Sequence, residues 1–206
     1  MKVVVVDVGI GNIASLCNCL KFLGVSFEVS NEKSFLYSSS HIILPGVGSF
    51  DSFILAIKKY NILEDLIKNI IDLKKPFLGI CVGMQILMKS SQEGKEKGFG
   101  ILDSDVNKLL LPINNHQKKV PHVGFGNISG FSKKGIFKNL EKKEFFYFTH
   151  SYAVLRLKED NINIAYTEHN NKFVSAFQKD NLCGVQFHPE KSQTSGMKII
   201  SNFLTI

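Results

Sequence analysis

The chain has 206 residues, of which 44% are hydrophobic and 21% charged, a balance that suits one folded domain with a substantial core and excludes a disordered or low-complexity chain. The formal charge of +7 is nearly all lysine, with Arg156 the only arginine; specific phosphate and base recognition leans on arginine forks, so a nucleic-acid reader is disfavoured. The clusters Lys118–Lys119, Lys133–Lys134 and Lys142–Lys143 read as solvated faces. Along the chain, Lys2–Val6 is a β-branched run predicted as a buried strand. A helix is predicted from Asn12 to Leu23, stopped by Gly24. Ser26–Val29 and Ile42–Leu44 read as strands, the second closed by Pro45-Gly46. Residues 51 to 73 carry helical periodicity up to the punctuation at Pro76. Phe77–Ile80 is a predicted strand, and Met84–Lys89 continues into a helix. Strands alternating with helices predict an α/β fold with a mostly parallel, doubly wound central sheet flanked by helices.

The pattern changes after about residue 100. Short strands are predicted at Lys108–Leu111, Phe145–Phe148, Tyr152–Leu155, Ile162–Thr167, Phe173–Ala176 and Gly184–Phe187, some of them pairing antiparallel. A helix over Ser195–Leu204 closes the chain. The loop 112–119 is the most polar segment and is expected to be mobile. With no repeat or linker, one domain over 1–206 is expected. No apolar run approaches the length of a membrane span, and Met1 leads straight into VVVV without a signal-peptide pattern. The cysteines Cys17, Cys19, Cys81 and Cys183 form no C-x-x-C pair, so zinc or thioredoxin-like chemistry has no support. Cys17 and Cys19, two apart on a helix, do not face each other. A reduced, cytoplasmic setting is the simplest account.

The sharpest local feature is FLGICVGMQ, residues 77–85. A strand runs into Gly79-Ile80-Cys81-Val82-Gly83 and then a helix, which is a nucleophile elbow with cysteine in the reactive place. Side chains at 79 or 83 would clash on so tight a turn. A helix N-terminus beside the sulfur is expected to favour thiolate over thiol. Read alone, G-x-C-x-G fits a small buried residue at a strand end equally well. A cysteine nucleophile wants an imidazole to take and return a proton. His188 follows the strand Gly184–Phe187 and opens His188-Pro189-Glu190, where Glu190 is placed to hold the ring in one tautomer. Read alone, His-Pro-Glu is also a common turn. Amide hydrolysis needs donors for an oxyanion; Val82 N–H follows the nucleophile, and Pro45-Gly46-Val47-Gly48 can aim a second backbone N–H from the next strand end.

These segments together resemble the class I glutamine amidotransferases, and within them the glutaminase subunits of imidazole glycerol phosphate synthase. The likeness runs in order through VVDVGIGNIASL at the start, ILPGVGSF (43–50), GICVGMQ (79–85), KGFGIL (97–102), VPHVGFGN (120–127), FTHSY (148–152) and GVQFHPEKSQ (184–193). The resemblance implies that Cys81 attacks the glutamine side-chain amide, that His188 is the general acid and base, and that Glu190 orients it. It implies oxyanion donors at Val47 and Val82, and glutamine contacts at Gln85 and Glu93 with backbone help from Ser151 and Tyr152. It implies a heterodimer with a (β/α)₈ cyclase barrel that receives the ammonia, with Gly11, Asn12, Phe125, Tyr147 and Lys191 at or near the interface. No cofactor and no metal are implied; His122, His150 and His188 lack ligand spacing. The chain has Val8 where many members have tyrosine, Val82 where they have leucine, and Phe125-Gly126 where they have Trp-Asn. The last change lies in the interface region and keeps open a second acceptor, a sugar amidotransferase of surface-glycan synthesis. A third, distant reading takes Gly9, Gly11 and Ala14 after the first strand, with Glu28 in the second, as a dinucleotide fingerprint. It leaves the elbow and HPEKSQ unexplained.

Overall fold

A computed structural model describes residues 2–11, 13–110, 119–141 and 144–206. Asn12, Lys118, Lys142–Lys143 and the loop 112–119, apart from Lys119, lie outside the described residues. In chain order the elements are β1 (Val3–Val6), α1 (Ile13–Phe22), β2 (Phe27–Ser30), α2 (Lys33–Ser38), β3 (His41–Gly46), α3 (Phe50–Lys59), α4 (Leu63–Ile71), β4 (Phe77–Cys81) and α5 (Val82–Gln85). There follow β5 (Ser90–Ser91), β6 (Asp105–Lys108), β7 (His122–Asn127), β8 (Phe145–His150), β9 (Tyr152–Val154), β10 (Asn163–His169), β11 (Asn171–Lys179), β12 (Leu182–Val185) and α6 (Gln193–Phe203). Two 3₁₀ turns cover Gly135–Phe137 and Pro189–Lys191.

The main sheet has the order β10-β11-β12-β4-β3-β1-β2. The five strands from β12 to β2 run parallel, while β10 and β11 are added antiparallel at one edge. The all-valine β1 is buried on both faces, as an interior parallel strand must be when helices cover both sides. Strand β4 lies between β3 and β12, and the register sets Gly46 beside Cys81 on one flank and Val185 beside Ile80 on the other. Parallel strands end together, so three loops converge at the C-terminal edge of β4, where α/β sheets form ligand sites. Strands β7 and β8 form an antiparallel ribbon tied to this edge by the bond from His188 N to Tyr147 O, 2.8 Å.

The predicted helix over 51–73 is two helices. Asn61 takes φ 52°, a left-handed conformation that asparagine tolerates, and breaks the helix between them. The charges mark the break: Lys58 and Lys59 end α3, while Glu64 and Asp65 open α4. The helix predicted over Met84–Lys89 is the single turn α5. Its continuation is claimed by a neighbouring loop, since Phe99 N donates to Ile86 O (2.6 Å), Ile101 N to Leu87 O (3.0 Å) and Gly100 N to Met88 O (3.1 Å). Strand β6 lies over Asp105–Lys108, earlier than the predicted 108–111. Helix α2 and strand β7 had no counterpart among the predicted elements.

Candidate functional site

Cys81 ends β4 with φ 55° and ψ −110°, a backbone region that an L-residue occupies only under strain. The turn is this tight because the two strand ends and α5 touch backbone to backbone. A Cβ on Gly83 would stand 2.0 Å from the carbonyl oxygen of Leu44, and one on Gly79 would stand 2.4 Å from that of Gly83. The elbow glycines are therefore steric necessities, as the sequence implied. The expected dipole is weaker, because α5 has four residues and few aligned peptides.

His188 leaves β12 and is fixed at both backbone groups. Its N–H donates to Tyr147 O, and its carbonyl accepts from Ser192 Oγ at 2.6 Å. Its Nδ1 lies 2.8 Å from Glu190 Oε1, with side-chain exposures of 3% and 7%. Burial alone would drive the ring toward its neutral form. The Cys81 sulfur and the Glu190 carboxylate outweigh it and raise the pKa to about 10. With Nδ1 committed to Glu190, Nε2 is the nitrogen left for the sulfur or a substrate; it is buried and meets no partner in hydrogen-bond geometry. Loose nucleophile–base contacts are common before substrate binds. Such a thiol and imidazole can together open an amide and carry its proton to the departing nitrogen.

The sulfur has a further neighbour, to which no sequence motif assigns a role. Gln186, fully buried, places Nε2 3.6 Å from Cys81 Sγ. Its Oε1 accepts from Gln85 Nε2 at 2.9 Å, and the same Gln85 nitrogen donates to Tyr152 O at 2.9 Å. Gln186 follows a strand paired with β4, and that adjacency was its only signal in the sequence.

A cavity of about 190 Å³ opens beside Cys81, bounded by Val47, Val82, Gln85, Glu93, Ser151, Tyr152 and His188 among others. Every expected catalytic, oxyanion and glutamine-contact residue except Glu190, whose buried carboxylate sits behind His188, lies on its wall. Glu93 is held by its Oε2, which accepts from Phe50 N at 2.8 Å just past the Val47–Gly48 segment. Its loop is clamped by Asp51, whose carboxylate accepts from Lys95 N and Glu96 N at 2.9 and 3.0 Å. His150, also on the wall, is buried; that burial lowers its pKa to about 3, so the ring stays neutral. His122, at the start of β7, is buried and stacks on His169 at 4.0 Å between centroids and on Phe148 at 4.6 Å.

Of the expected interface residues, Phe125 and Tyr147 face each other across the ribbon, with ring centroids 5.5 Å apart, and Lys191 Nζ stands 5.6 Å from the Tyr147 ring. Phe125 is 52% exposed, next to exposed Val123 and Phe145. Gly11 is exposed in the loop before α1, and Asn12 lies outside the described residues. The dinucleotide reading fails on register. Glu28 pairs with Val4, toward the start of β1 and away from the Gly9–Gly11 loop, whereas a ribose-binding acid belongs at the strand's C-terminal end. All four cysteines are free thiols, and among the described residues no helix is long and apolar enough to cross a membrane.

The sequence profile of the glutamine amidotransferase class-I family matches residues 4–206. The chain is 39% identical to imidazole glycerol phosphate synthase subunit HisH 2 of Methanococcus maripaludis, covering 98% of each chain. It is 40% identical to imidazole glycerol phosphate synthase subunit HisH of Bacteroides fragilis over 100% of each. A solved glutamine amidotransferase shares the fold with a TM-score of 0.75 at 18% identity, covering 98% of this chain and 97% of the other. This chain belongs to the class I glutamine amidotransferase family, alongside relatives that carry the name HisH.

Proposed function

We propose that the chain is the glutaminase subunit of an imidazole glycerol phosphate synthase, acting as one domain in the cytoplasm. The observation that carries this reading is the buried Cys81–His188–Glu190 arrangement, opening on a cavity large enough for an amino acid. Cys81 Sγ attacks the side-chain carbonyl carbon of glutamine. The oxygen takes up negative charge against the N–H groups of Val47 and Val82, and His188 Nε2 delivers a proton to the leaving nitrogen. Ammonia departs and a thioester remains on Cys81. A water molecule, deprotonated by His188, attacks that thioester and releases glutamate. Glu190 keeps the imidazole in the useful tautomer. Gln85, Glu93 and the backbone of Ser151 and Tyr152 hold the glutamine.

The ammonia acceptor is a separate (β/α)₈ cyclase subunit docked on Gly11, Asn12, Phe125, Tyr147 and Lys191. Exposed aromatic and aliphatic side chains on the ribbon suit such an anchor. The HisH relatives at 39% and 40% identity favour this acceptor over a sugar amidotransferase. The deciding experiment measures glutamate release from glutamine with and without the cyclase barrel and its phosphoribosyl substrate. Strong stimulation is expected, because losing one oxyanion donor costs about 10²–10³ in rate and the glycine-flanked Val47 peptide can turn away in the free subunit. Release at the same rate with and without the barrel would sink the partner assignment.

A further inference from the structure

We propose that Gln186 is a further catalytic residue, whose amide N–H donates to the Cys81 sulfur and stabilises it as thiolate, and that Gln85 is the positioning residue holding that amide the right way round. This rests on the reading of Cys81 as the nucleophile.

An amide side chain can usually be turned over without changing its shape, so its polarity is set by its partners. Here one group fixes the polarity of the whole chain. The Tyr152 carbonyl can only accept, so Gln85 must offer it the NH₂ end. The second hydrogen of that NH₂ goes to Gln186, which must then offer its oxygen. The NH₂ of Gln186 is left facing Sγ at 3.6 Å. His150 Nδ1 lies 2.9 Å from the same Tyr152 oxygen and uses its other lone pair, so the anchor is held on two sides. The backbone of Gln186 is fixed as well, its N–H donating to Ser175 O at 2.8 Å.

A fully buried amide pointing a donor at a sulfur favours the sulfur's anion. Donors to an anion strengthen when the charge forms, and more so away from water. The single-turn α5 leaves few peptide dipoles to do the same work. Gln85 also lines the cavity, so the residue that sets the polarity is one that bound glutamine would touch. A residue that merely fills space would leave the sulfur's reactivity unchanged when replaced by an apolar side chain of similar size.

The test is the rate of Cys81 alkylation by iodoacetamide as a function of pH on the full chain, followed by the mass of the Cys81 peptide. The variants are Gln186→Met, Gln186→Glu and Gln85→Met. The other titratable groups around the cavity, namely His188, Glu190, Glu93, His150 and Tyr152, are the same in all of them. Gln186→Met is expected to move the profile up by roughly one pH unit and to slow labelling at neutral pH about tenfold, the value of one hydrogen bond to a charged group. Gln186→Glu, which sets an anion beside the sulfur, moves it further. Gln85→Met, which keeps the Gln186 side chain, moves it in the same direction by less, because the Gln186 amide is then free to turn. Thermal melts identify which variants fold, and Gln85→Met keeps the test open if the Gln186 variants do not. Profiles of folded variants that superimpose on the wild type overturn the Gln186 assignment alone. A glutamine-shaped chloroketone that leaves wild-type Cys81 unlabelled while iodoacetamide labels it would instead overturn the glutaminase reading.

Discussion

The two walls of the cavity are built by different means. On the side of β3 and β4, the parts are backbone: a strained cysteine, glycines pressed against carbonyl oxygens, and the proposed oxyanion donors at Val47 and Val82. On the side of β12 and the β7–β8 ribbon, the parts are side chains, namely His188, Glu190, Gln186 and His150, each held by hydrogen bonds or burial. The first wall has no tolerance for an added atom. The second can lose a side chain and keep its shape, because its main chain is fixed by bonds such as His188 N to Tyr147 O. Folding and chemistry should therefore separate by side of the pocket.

The largest effect tests where the walls meet. Cys81→Ala is expected to reduce glutamate release by about 10⁴-fold or more while partner binding and the melting transition remain. A variant that keeps turning over would mean that the nucleophile is elsewhere. On the side-chain wall, His188→Ala should cost about 10²–10⁴ in kcat, with a folded protein by circular dichroism. The backbone wall should behave in the opposite way. Gly83→Ala is expected to lose about 3 kcal/mol of folding stability in urea titrations, the scale of forced overpacking, since its Cβ has only the Leu44 carbonyl to move. If that variant folds as well as the wild type, the contrast between the walls is broken. Glu190→Gln should be milder than His188→Ala, roughly ten- to a hundredfold, because it removes a charged hydrogen bond without removing the base.

The smallest effect concerns acid. His150 has a folded pKa lowered from 6.5 to about 3, chiefly by burial. Above pH 6.5 the ring is neutral in both states, so its contribution to stability is complete. As pH falls toward 3 the unfolded chain takes up the proton first, and stability declines by up to about 1.4 kcal/mol per pH unit from this residue. Urea midpoints at pH 7 and pH 5 should converge in His150→Phe relative to the wild type. Equal pH slopes in the two proteins would show that the ring is charged in the fold.

What the sequence made legible follows the same division. The elbow could be read because steric need for glycine leaves a pattern in the chain, and the His-Pro-Glu turn because its acid is two residues from its base. The parallel sheet was legible from buried β-branched runs such as Val3–Val6. Gln186 was missed because its partners Cys81 and Gln85 are about a hundred residues away and only the strand register joins them. The helix after the elbow was overestimated for a similar reason: its later carbonyls bond to residues 99–102, a tertiary claim that local periodicity cannot show. Strand β7 was hidden by its glycines at 124 and 126, which carry no strand preference.

The positive φ at Cys81 has a consequence for the economy of the whole fold. Glycine is the residue that conformation favours, so Cys81→Gly should melt higher than Cys81→Ala, by about 1–3 kcal/mol in stability. A chain selected only to endure heat would drift to glycine there. Robustness is thus held in reserve at a position that the proposed chemistry needs.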